Sequence, residues 1–166
     1  MSGITRARPW HDTLAGYALR VATAAALVID AVVHFQDAHF YDANTGALLD
    51  QGQLFRIQGV AAMIVALAVL VWPRWPSWLL AFLVAASASA AVVTYNYVDV
   101  GPILGLPNMY EPSWGPPGKV VSAWAEGIGA LLALTGLIRA LARRRVASGR
   151  RGTTARLAAA EHSVPG

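Results

Sequence analysis

Among the polar side chains within or at the edge of the apolar stretches of this 166-residue chain, four ionisable groups and one amide stand out: Asp30, His34, Arg56, Gln58 and Glu126. These are the residues whose types and spacing could do chemistry. Asp30 and His34 are four apart, so on a helix they share a face. Arg56 and Gln58 open the second apolar stretch, and Glu126 lies inside the fourth. A carboxylate near mid-membrane costs on the order of 2.5–3.5 kcal/mol, so two of them are not expected to face lipid unpaired. The expected arrangement has Arg56 paired with Glu126, Asp30 or both, with His34 completing the network. Such a cluster has two uses. It can be a polar clamp that fixes helix packing, or a site for a ligand, a proton or a cofactor. Both readings stand at this point.

Other chemistries find less support. The chain has no cysteine, which excludes disulfides, thiolate metal sites and cysteine nucleophiles. No phosphate-cradling glycine loop, nucleophile elbow or HExxH occurs. His34, Asp37 and His39 suggest a metal site only in passing, because their spacing straddles a helix end. One histidine within a span argues against a bis-histidine haem. No catalytic residue is assigned, no metal or cofactor is expected, and the chain reads as a non-enzyme more readily than as an enzyme.

The elements that must position the cluster follow from composition. Hydrophobic residues are 56% of the chain and charged residues 13%, against roughly 25% charged in soluble domains. Four stretches approach the roughly 20 residues that cross a hydrocarbon core: about 14–35, 54–72, 78–98 and 120–141. Each must satisfy its own backbone hydrogen bonds in lipid, so the expected fold class is all-α, a bundle of four transmembrane helices over 14–142. The first stretch is too long and too polar near its end, at Asp30 and His34, for a cleaved signal peptide. At about 1.5 Å rise per residue, Asp30 and Glu126 fall at one depth, with His34 and Arg56 close by. Arg20 lies near the opposite end of the first stretch.

The net charge is +4, and every basic residue but Lys119 is arginine, a bias of high-GC bacterial genomes. Arg6 and Arg8, then Arg74, then Arg143, Arg144, Arg145, Arg150, Arg151 and Arg156 mark one side. Asp37, Asp42, Asp50, Asp99 and Glu111 mark the other. The positive-inside bias then places both termini in the cytoplasm of a bacterial plasma membrane. The basic tail, 143–166, is expected to be disordered and to meet lipid rather than nucleic acid. Trp10, Trp72, Trp75 and Trp78 are expected at the inner interface, and Phe35, Phe40, Tyr41, Phe55, Tyr95 and Tyr97 at the outer one. Small residues in the third stretch (Ala81, Ala85, Ser89) and the fourth (Ala123, Gly127, Ala130) allow close helix approach, within one chain or between copies. The partners implied are the bilayer and, through such faces, a second copy or other membrane subunits.

The run His34-Phe35-Gln36, then Tyr41, Gly46 and Gly52-Gln53-Leu54-Phe55-Arg56-Ile57-Gln58, resembles a group of small actinobacterial four-helix membrane proteins of uncharacterised function. The chain lacks the Ile-Pro-Thr-Ile-Gly run of that group's loop. More loosely, Arg20 early in the first helix and Glu126-Gly127 with Gly129 in the last are similar to DoxX-like membrane proteins. That resemblance implies a membrane subunit linked to quinone or redox chemistry. The sequence therefore reads first as an accessory or structural membrane component. The alternatives are a quinone-linked subunit and a small proton-coupled transporter using Asp30 and Glu126.

Overall fold

The first two helices begin where a side chain closes the first turn. In the computed structural model, which describes residues 13–115 and 117–162, the helices are α1 (Leu14–Asp37), α2 (Gln51–Val71), α3 (Trp75–Tyr97) and α4 (Pro117–His162). Thr13 caps α1 by accepting from the Gly16 amide at 3.2 Å. Asp50 and Gln53 form a reciprocal capping box on α2, which satisfies two otherwise orphaned donors. Pro76 lies in the first turn of α3, where its missing N–H costs nothing. Ser77 Oγ donates to the Trp72 carbonyl at 2.7 Å across the tight 72–76 turn. A short 3-10 helix, Ala38–Tyr41, continues α1. All four α-helices are long and apolar enough to cross a membrane.

The chain departs from expectation in α4. The sequence places the end of this helix near Leu141 and a disordered tail after it, yet α4 runs on to His162. The physical reason is composition: from Leu141 the chain is rich in Ala and Arg, both strong helix formers, and meets no proline before Pro165. Trp10, Arg6 and Arg8 lie outside the described residues, as do the side chains of Arg150, Arg151 and Arg156.

The helices neighbour one another around a ring in chain order. The α3–α4, α1–α2 and α4–α1 faces are broad and the α2–α3 face is thin. Small residues of α3 and α4 thus meet within one chain. Leu27, Ala31, Ala62, Val69, Ala81 and Ala133 fill the core. Large apolar side chains such as Ile64, Leu67, Leu83, Leu131 and Ile138 stay exposed on the outer faces, the pattern of a bundle whose solvent is lipid.

Trp78 does not join the interfacial aromatics. It is fully buried, because Gly136 on α4 lacks the Cβ that would run into its ring. Trp72 and Trp75 do remain at the surface of the 72–76 turn, under Arg74 and Arg144 respectively. Near that same end, Arg20 Nη2 donates to the Leu70 carbonyl. A cation there meets the negative end of the α2 dipole.

At the opposite end, two loops lock together. The Leu48 amide donates to the Gly105 carbonyl at 2.9 Å, Asn44 Nδ2 to the Asn108 carbonyl at 2.8 Å, and the Glu111 amide to the Tyr95 carbonyl at 3.0 Å. The Gly- and Pro-rich 98–116 segment forms no helix among its described residues, as its composition requires.

The Trp78–Gly136 contact makes a sharp prediction. Gly136→Ala overpacks a core that has no slack, and is expected to cost about 1–3 kcal/mol in unfolding measured in detergent. Gly127→Ala is the control, since its nearest neighbour would be Ser89 Oγ at 3.8 Å. That variant is expected to be neutral or slightly stabilising, because Ala is the better helix former.

Candidate functional site

Three helices bring one polar cluster together inside the bundle. From α1 come Asp30 and His34, one turn apart. From α2 comes Gln58, and from α4 come Ser122 and Glu126, again one turn apart. Asp30 is 1% exposed and Glu126 2%. His34 Nδ1 lies 2.9 Å from Asp30 Oδ1 and 3.0 Å from the Asp30 carbonyl oxygen. Gln58 Nε2 donates to Asp30 Oδ2 at 3.2 Å. Ser122 Oγ lies 2.6 Å from Glu126 Oε1 and 3.1 Å from Asp30 Oδ1.

The two carboxylates lack the positive charge or the protons that would balance them. A serine hydroxyl carries a single hydrogen and here stands between two carboxylates. Among the described residues no Lys or Arg ion-pairs with either of them, and Glu126 Oε2 is buried without a hydrogen-bond partner. In a low-dielectric interior such a group is costly. Something must neutralise it: a shared proton, a protonated His34, or a bound cation.

Arg56 does not supply that charge, contrary to expectation. It forms a two-pronged ion pair with Asp42, at 2.8 and 2.9 Å. Residues two apart on an α-helix point roughly 200° apart, so with Gln58 turned toward Asp30, Arg56 must turn away. Asp42, delivered by the 3-10 segment, meets it outside the cluster. The Arg56 guanidinium holds the Asp42 carboxyl below the usual carboxylate range. Any stability this exposed pair contributes is present above that usual range, and is lost as pH falls through the lowered value.

His34, Asp37 and His39 are not brought together either. His34 turns inward to Asp30. The Asp37 carboxylate lies against Gly118 in the first turn of α4, where the helix dipole favours an anion. His39 stacks on Phe40 with centroids 3.8 Å apart.

Beside the cluster is a cavity of about 540 Å³. His34, Gln58 and Ser122 lie on its wall. Tyr41, Phe55 and Tyr95 supply rings, and Met109 and Glu111 of the 98–116 loop close its end. Lys119 lines it too, and holds that loop by donating to the carbonyls of Glu111 and Ser113. Exposed Ile57, Ser87 and Ala91 belong to the lining, so the cavity opens sideways between α2 and α3, where the ring of helices is thinnest.

Sequence reasoning overlooked Ser122, Asp42 and the cavity. Ser122 and Glu126 are four apart, the same spacing that singled out Asp30 and His34, so Ser122 was open to discovery. The cavity was not, because loop residues far apart in sequence close it. No family model, curated protein or solved structure matches this chain.

Unequal burial predicts unequal mutational costs. Asp30→Ala strands Gln58 Nε2, while His34 Nδ1 keeps the backbone carbonyl of residue 30. The variant is expected to lose about 1–3 kcal/mol, the cost of an unsatisfied buried group. Arg56→Ala removes only an exposed pair and is expected to be much milder. Chemical denaturation in detergent ranks the two, and an Arg56→Ala loss equal to that of Asp30→Ala would overturn the assignment.

Proposed function

We propose that this multi-pass membrane protein sits in a bacterial plasma membrane with both termini cytoplasmic. There it serves as an accessory component that holds a small amphipathic ligand of the quinone class in the outer half of the bilayer. One observation carries the reading: the side-opening cavity of about 540 Å³ beside a buried polar cluster. Its size falls in the range of roughly 300–1,000 Å³ typical of ligand sites. A bundle that served only as scaffold would fill this space, because interiors pack to crystal-like density.

The lining supports the ligand class. A quinone head is a flat ring whose two carbonyl oxygens accept hydrogen bonds. Tyr41 and Tyr95 offer hydroxyl donors, Gln58 an amide, and Phe55 an aromatic wall. An apolar tail can leave between α2 and α3 into lipid. The DoxX-like features at Arg20, Glu126, Gly127 and Gly129 favour the same class. The arginine asymmetry supports the orientation, which puts the cavity and the two interlocked loops at the outer face.

Two experiments test this. Titration of the full chain in detergent with a short-chain quinone is expected to quench tryptophan fluorescence and to raise stability by about 2.7 kcal/mol at a hundredfold excess over Kd. Ala88→Trp, which fills the cavity from α3, is expected to abolish both effects. Absence of both in the unmodified chain would refute the ligand reading. For topology, Ala47→Cys should react with an impermeant thiol reagent on intact cells and Ser148→Cys should not. The reverse pattern would invert the orientation.

A further inference from the structure

We infer that Asp30, His34 and Glu126 form a binding site for one divalent transition-metal ion, of the kind zinc represents, set into the wall of the cavity. Each residue offers a ligand atom, and these atoms all lie within 4.8 Å of one another. Donors about 2.1 Å from a tetrahedral ion stand about 3.4 Å apart, so side-chain rotation that closes the set by up to about 1.4 Å seats an ion. One imidazole nitrogen and two carboxylate oxygens suit zinc, iron or manganese, and the cysteine-free chain offers no thiolate to softer metals.

Glu126 supplies the independent reason to place a cation here. It is 2% exposed, and its Oε2 has no hydrogen-bond partner although it belongs to a cluster that already holds a second carboxylate. A dication balances both carboxylates and leaves His34 neutral, the form in which imidazole binds metal. A single proton balances only one carboxylate, and the other then needs a protonated His34. The neighbours already present act as a supporting layer: Gln58 donates to Asp30, and Ser122 lies against Asp30 and Glu126. Such contacts orient metal ligands. His34 and Ser122 also line the cavity, so an ion at this site borders the space where a ligand would lie. The site does not depend on the quinone reading, because its three donors come from α1 and α4 alone.

The test uses the full chain, stripped with a chelator in detergent, reloaded with Zn²⁺ or Co²⁺ and passed over a desalting column. About one retained metal per chain is expected by elemental analysis. The Co²⁺ form should show ligand-field bands of nitrogen–oxygen coordination. Glu126→Gln, which keeps the side-chain shape, and His34→Ala should each lose the retained metal, while His39→Ala and Ala88→Trp should keep it. Loss in Ala88→Trp would mean that the metal binds in the cavity rather than at the three residues. Failure of the unmodified chain to retain either metal, or equal retention by Glu126→Gln, would overturn the site. The first of these readouts needs no variant to fold. Quinone binding that persists without any metal would leave the proposed function standing and this inference refuted.

Discussion

Two almost fully buried carboxylates on neighbouring helices face one serine hydroxyl. Much of the bundle can be read as the means of tolerating that arrangement. Asp30 is held by a histidine one turn away on its own helix and by an amide from α2. Glu126 meets Ser122 one turn away on α4. The α1–α2 and α1–α4 faces, both broad, meet at this cluster. These contacts join three of the four helices at one layer.

The other end of the bundle solves the opposite problem. There the helices must approach closely with little polar help, and they do so through shape. Trp78 enters the gap left by Gly136, while Arg20 ties the end of α2 to α1. The tight 72–76 turn keeps α2 and α3 together at this end. Their faces nevertheless share little contact, and the first turns of α2 and the later turns of α3 line the cavity instead. A short turn at one end and interlocked loops at the other leave room between these two helices without exposing unpaired backbone, which lipid forbids.

Span number and helix type were legible in the sequence because apolar length and low charge leave no other structure in a bilayer. Starts were legible to within about a turn: α1 begins where expected, and the Asp50 capping box starts α2 at Gln51 rather than 54. The far end of α4 was misread, since polarity was taken for disorder where Ala and Arg continue the helix. For the site, depth along each span placed Asp30, His34 and Glu126 in one layer, but depth says nothing of direction around a helix. Arg56 shares the layer and points elsewhere. Its partner Asp42 looked like a loop charge until the 3-10 segment carried it across the start of α2. Trp78 was misassigned in the same way: its depth was right and its direction was not.

The chain order of the cluster bears on how the protein is made. Synthesis proceeds from the N-terminus, so α1 enters the membrane long before α4 exists. Asp30 is then the exposed liability, yet His34 arrives on the same helix and Gln58 on the next. The α1–α2 hairpin can therefore shelter its own acid without waiting for the rest. Glu126 comes last, with Ser122 preceding it by one turn, and completes a pocket whose other walls already stand. The costly groups are distributed so that no nascent intermediate carries an acid into lipid without a polar companion from its own or the adjacent helix.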